Sequence, residues 1–169
     1  MVDFSKITDW ESLTEERVRM AVEYFRSGYN CAQAVTLAFA DWYDISPILM
    51  SRFSASFGGG IGRMRETCGA ACGLFMLAGL HLPRPHDINP YPDAAAKKRN
   101  YENVQLLASR FREVTGSLLC RELLGAASQS ASTSPAPEER TPQYYAKRPC
   151  SFMVETAVRV FMQWVRENN

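Results

Sequence analysis

The chain has 169 residues, 46% of them hydrophobic, with 19 Lys plus Arg against 18 Asp plus Glu. That is one domain's length, enough to bury a core of its own. A net charge of +1 excludes the strongly basic surface expected of a nucleic-acid or anionic-membrane binder, and neither nucleic acid nor membrane insertion is expected. The unusual feature is five cysteines beside only two histidines.

The opening MVDFSKITDW carries early acids and no apolar run, unlike a secretory signal. The longest uncharged apolar run, about Cys68 to Leu82, is too short for a bilayer and reads as a buried helix. The expected compartment is the cytoplasm. Structural disulfides are disfavoured there, so recurring cysteines point to metal, redox or catalytic work.

In chain order, Thr14 is the predicted cap of a first helix to Ser27, with Val18, Ala21, Val22 and Phe25 at helical spacing and Gly28 beyond its end. Asn30 is a second cap, opening a helix with Ala34, Val35, Ala38 and Trp42 on one face. Pro47 suits the first turn of a third helix through Phe53 and Phe57, ended by the glycine run 58–62. Arg63 to Glu66 read as a charged connector before a compact helix from Cys68 to Leu80. Pro83, Pro85, Pro90 and Pro92 mark a loop.

The longest predicted helix runs from Asp93 to Val114, with Tyr101, Val104, Ala108 and Phe111 buried, and Gly116 stops it. Ser117 is the predicted cap of a short helix through Leu124. Residues 126–148 are expected to form a mobile or irregular loop, and the last helix starts near Pro149-Cys150 with Val154, Ala157, Phe161 and Trp164 inward. No strand alternation or internal repeat is evident. The expected fold is all-α: one domain over residues 1–169 with six or seven helices.

On these helices Cys31, Cys68, Cys120 and Cys150 all fall in first turns and each begins an apolar stripe. Stripes face the core, so the four thiols are expected to converge. A helix N-terminus presents unpaired N–H groups and about half a positive charge, which favours a thiolate or an anionic metal–thiolate cluster by roughly 0.3–1 kcal/mol, rising to about 2 when partly buried. Cys72 shares a helical face with Cys68 and is a fifth candidate ligand, although the spacing is not CxxC. Gly69 and Gly73 form a small-residue strip on the same helix. With Gly59 and Gly60 they are candidate positions for close approach of a cofactor.

The matching segments are Gly28-Tyr29-Asn30-Cys31-Ala32-Gln33-Ala34, the glycine run Phe57 to Gly62, Cys68-Gly69-Ala70-Ala71-Cys72-Gly73, Cys120 before Leu123-Leu124-Gly125, and Cys150. From about Tyr24 to Phe161 this ordered set resembles the redox-active cysteine family C_GCAxxG_C_C, named for its motif. The resemblance implies a small, mainly helical protein associated with oxidoreductase functions. It also implies four signature cysteines, here Cys31, Cys68, Cys120 and Cys150. Cys72 falls on a variable position of the motif. The chain has no CxxCH, so covalent haem attachment is not expected.

Gly58 to Gly62 lacks the ending of a phosphate-binding P-loop and follows a helix, so it is read as a loop passing close to the Cys68 helix, above the sulfur site. His81 and His86 are separated by prolines that break zinc-ligand helical spacing, though a Cys–His dyad stays open. Tyr144 and Tyr145 cover the core or line a ligand cleft, and Lys97, Lys98 and Arg99 form a solvated face. The leading reading is a redox or metal-binding protein with a thiol/disulfide centre, an iron–sulfur cluster or a Cys-ligated zinc. A redox partner protein and a homodimer are the expected associations. The alternative is a structural or adaptor helical module whose cysteines are inert packing residues.

Overall fold

The computed structural model describes residues 2–82, 94–125 and 134–168. Eight α-helices occur among them: α1 Trp10–Arg26, α2 Cys31–Leu37, α3 Pro47–Ser54, α4 Gly69–Leu80, α5 Ala94–Thr115, α6 Cys120–Leu124, α7 Pro142–Lys147 and α8 Cys150–Glu167. The described residues are all-α, and their one extended pairing is an isolated antiparallel bridge between Thr67 and Leu119. The proline loop 83–92, His86 and the segment 126–133 lie outside the described residues.

α2 is central and packs on α1, α3, α4 and α8; α5 closes the other side against α4 and α8. Phe25, Phe39, Trp42, Phe111 and Phe161 are fully buried between them. The sequence predicts a helix from Asn30 to Trp42, but α2 ends at Leu37 and the chain tightens into i→i−3 turns, then a 3₁₀ turn at Asp41–Tyr43. Arg17 satisfies a carbonyl at this break: its Nη1 donates to Ala38 O at 2.8 Å. It also grips Asp41 with two bonds of 2.6 and 2.9 Å and lies 5.1 Å over the Trp42 ring. A buried arginine is tolerated because it is paired and stacked.

Several boundaries differ from the sequence reading for local reasons. α1 starts at Trp10 because Asp9 Oδ1 accepts the Ser12 N–H at 2.9 Å, while Thr14 is already helical and donates its hydroxyl to Trp10 O. Cys68 itself is the cap residue of α4, with no side-chain cap bond, and Leu119 rather than Ser117 precedes α6. In both cases the Thr67–Leu119 bridge keeps the chain extended and delays the helix. Tyr101 is 61% exposed and stays out of the core; α5 buries Phe111 as expected and adds Leu107. The presumed irregular stretch holds α7, begun by Pro142 and capped by Thr141 Oγ1, which accepts the Tyr144 N–H at 3.2 Å.

His81, at the end of α4, shares a 3.0 Å hydrogen bond between its Nδ1 and the Tyr43 hydroxyl. Its ring meets Phe4 and Trp164 edge-on at 5.1 Å. Burial lowers its pKa from the ordinary 6.5. A base whose folded pKa is depressed leaves stability intact above the unfolded value and removes it as pH falls below. The urea midpoint is therefore expected to hold from pH 8 to about 7 and to decline below 6.5, with a smaller decline in His81→Gln. Equal declines in both proteins contradict this role.

Candidate redox site

Asn30 starts the site. Its Oδ1 accepts the N–H groups of Ala32 and Gln33 at 3.0 Å, and Gln33 Oε1 accepts the Asn30 N–H at 3.0 Å. This reciprocal cap places Cys31 at the first position of α2. Cys150 holds the same position on the 18-residue α8, after Pro149. Cys68 and Cys120 are clamped beside each other's strands by the bridge: the Cys68 N–H donates to Leu118 O, and the Cys120 N–H to Glu66 O, both at 2.7 Å.

The glycine run forms an unusual frame. Gly59, Gly60, Ile61, Gly62 and Arg63 all have φ between +57° and +73°, and Arg65 has +63°. Left-handed backbone costs a non-glycine residue roughly 1–2 kcal/mol, so Ile61, Arg63 and Arg65 are strained. The turn folds back onto the site closely: a Cβ on Gly60 would lie 2.6 Å from Cys120 Cβ. On α4, a Cβ on Gly69 would lie 2.7 Å from Phe57 O and 3.3 Å from Cys31 Cβ.

These segments surround one cavity of about 400 Å³. Cys31, Cys68, Cys120 and Cys150 all line it, as do Gly59, Gly60, Gly69 and Tyr144. The four cysteines thus share one cavity wall, with the glycine loop beside them. Gly73 and Cys72 are not on the wall. Gly73 lets α4 approach α2, since a Cβ there would sit 3.0 Å from Ala32 O and Val35 Cβ. Cys72 turns its thiol to Thr67 O at 3.8 Å. His81 is also absent from the wall and forms no dyad there.

Arg63, Arg65, Arg140 and Arg148 line the same cavity, and among the described residues no Asp or Glu does. Sequence reading missed this set, treating the first two as a connector. Glu138, close by, meets Arg148 at 2.6 Å, Arg63 at 3.5 Å and Arg65 at 3.8 Å. Arg140 donates to Phe25 O and Tyr29 O at 3.0 and 3.1 Å. Tyr144 stacks with both Arg148 and Arg140, at 4.7 and 5.5 Å.

All five cysteines are free thiols. Cys31 and Cys150 bear on each other's titration, in opposite directions. Cys31 is the proton holder: the interaction with Cys150, then burial, pushes its pKa well up. Cys150 is the more acidic of the two: the interaction with Cys31 and the charges of Arg148, Arg140 and Arg65 lower its pKa despite burial. The macrodipole of the long α8 acts in the same direction. Burial pushes Cys68 to about 12 and Cys72 to about 11, and also raises Cys120.

Four thiols have suitable chemistry for iron–sulfur or zinc ligation. As placed, however, no three His, Cys, Asp or Glu side chains among the described residues form a group that could hold a metal ion. The arrangement does not fit that cofactor, and no step is derived through it.

The fold and site define an all-α protein in which helix starts deliver signature cysteines to one cationic cavity. More specifically, residues 29–164 match the family model described as "Putative redox-active protein (C_GCAxxG_C_C)", and the chain belongs to that family. No significant match was found among curated proteins or among solved structures. No helix among the described residues is long and apolar enough to cross a membrane.

Proposed function

We propose that the protein is a dithiol–disulfide redox centre in which Cys150 is the nucleophile and Cys31 the resolving thiol. What carries this reading is that Cys31 and Cys150 each open a helix on the wall of one arginine-lined cavity. The asymmetry suits exchange chemistry: one sulfur gives up its proton more readily, and its neighbour keeps a proton until the mixed disulfide needs resolving. Cys68 and Cys120 stay protonated at neutral pH and form the neighbouring wall. A redox partner protein would return the disulfide to the dithiol.

The test is equilibration in dithiol/disulfide buffers, with the thiol state read by mass after acid quench. A two-electron couple, close to 30 mV per tenfold change, is expected. It should vanish in Cys31→Ser and in Cys150→Ser and persist in Cys72→Ser. A couple unchanged in both of the first two variants contradicts the assignment. So does one tightly bound iron or zinc per chain that is lost in those variants.

A further inference from the structure

Resting on the dithiol reading above, we propose that the oxidant taken by this cavity is a small disulfide bearing carboxylate groups. Four arginines line the wall and, among the described residues, no Asp or Glu does. They come from two distant stretches, Arg63 with Arg65 and Arg140 with Arg148, so the fold assembles them. Glu138 already demonstrates what they capture: three of the four share its carboxylate, the shortest contact being 2.6 Å. Arginine suits this task, because its planar fork binds carboxylates in pairs of bonds.

Size and lining narrow the ligand further. A cavity of about 400 Å³ is near the small end of the range for small-molecule sites, about 300–1,000 Å³. Leu123, Leu124 and Met153 supply apolar wall for methylene and sulfur atoms. Tyr144, stacked with Arg140 and Arg148, holds two of the cations in place without neutralising them.

The reaction balances without another reagent. The Cys150 thiolate attacks one sulfur of R–S–S–R, forming a Cys150–S–S–R bond and releasing RS⁻. Cys31 then gives up its proton, and its sulfur attacks Cys150 Sγ and expels the second RS⁻. The protein loses two electrons and the Cys31 proton to become the Cys31–Cys150 disulfide, and the substrate becomes one RSH and one RS⁻, which takes its proton from water. In water a thiolate repels a dianionic disulfide. The arginines reverse that order, so charge preference is a direct readout.

The experiment follows a single turnover of the reduced full-length chain with three small disulfides: dithiodiglycolate (dianionic), hydroxyethyl disulfide (neutral) and cystamine (dicationic). Each rate is divided by that with free cysteine. Dithiodiglycolate should exceed hydroxyethyl disulfide by tenfold or more, with cystamine slowest. The ratio should shrink in 0.5 M salt and in Arg63→Gln, and grow in Glu138→Gln, which removes the carboxylate that Arg63, Arg65 and Arg148 share. Equal normalised rates, or a preference for cystamine, overturn the substrate class while leaving the dithiol reading intact. If no disulfide produces the Cys31–Cys150 bond, it is the dithiol reading that fails, and the substrate class falls with it. The wild-type order alone decides, even if a variant misfolds.

Discussion

Replacing Cys150 with serine is expected to remove the fast phase of alkylation at pH 7. The remaining thiols are poor nucleophiles. Cys68, with a pKa pushed up to about 12, is ionised at pH 7 in about one molecule in 10⁵. Cys31 stays protonated by its burial even after its partner is lost. Cys31→Ser should behave differently, because a serine hydroxyl can donate to the Cys150 sulfur. The expectation is a rate within a few-fold of wild type for Cys31→Ser and a fall of about 100-fold for Cys150→Ser. Arg148→Gln should raise the Cys150 pKa, since Arg148 is the foremost cation acting on it. Iodoacetamide labelling between pH 5 and 9, resolved by peptide mass, measures all three. Equal loss in the two serine variants contradicts the assignment of nucleophile and proton holder.

Gly60→Ala is expected to cost about 2–4 kcal/mol of folding stability. Part of that is the left-handed φ of +73°, and the rest is steric. The added methyl would sit 2.6 Å from Cys120 Cβ and 2.9 Å from the Arg65 backbone, neither of which is the movable end of a flexible side chain. Gly62→Ala is the matched control. Its φ is also positive, at +57°, but nothing lies within 4 Å of the new methyl, so about 1 kcal/mol should be lost. Urea unfolding of both variants gives the difference, which isolates the packing of the glycine turn on Cys120. Equal losses would mean that the turn does not brace the cysteine wall.

Local chemistry explains which parts of this site were readable from sequence. Asn30 with Gln33, and Gly28 just before them, define the start of α2 through contacts within a few residues, and Cys31 follows automatically. Pro149 similarly announces Cys150. The starts of α4 and α6 were displaced because Thr67 and Leu119 pair across some fifty residues of sequence, and a cap pattern carries no trace of that pairing. Asp9 and Thr14 both carry cap chemistry, and the choice fell to Asp9 because Trp10 and Leu13 pack on the core. Tyr101 obeyed helical spacing but lies toward the N-terminal part of α5, away from the buried Leu107 and Phe111.

The arginine set was the largest omission. Arg63 and Arg65 follow a glycine run whose left-handed course only tertiary packing on Cys120 and Arg65 itself makes sense of. Arg140 and Arg148 flank Tyr144-Tyr145, and that tyrosine pair is the one local signal that pointed to a lined cleft. Nothing in sequence spacing says that these two stretches meet. The strain at Ile61, Arg63 and Arg65 belongs to the same pattern, in which a costly backbone persists where it frames a reactive group.

The most direct test is to map the first disulfide formed. The reduced chain is oxidised with one equivalent of a small disulfide, quenched in acid, alkylated after unfolding and digested, and the linked peptides are identified by mass. A bond between Cys31 and Cys150, with Cys68, Cys72 and Cys120 recovered as alkylated thiols, is the required result. A first bond that excludes Cys150, or thiols that all remain reduced, would contradict the site described here.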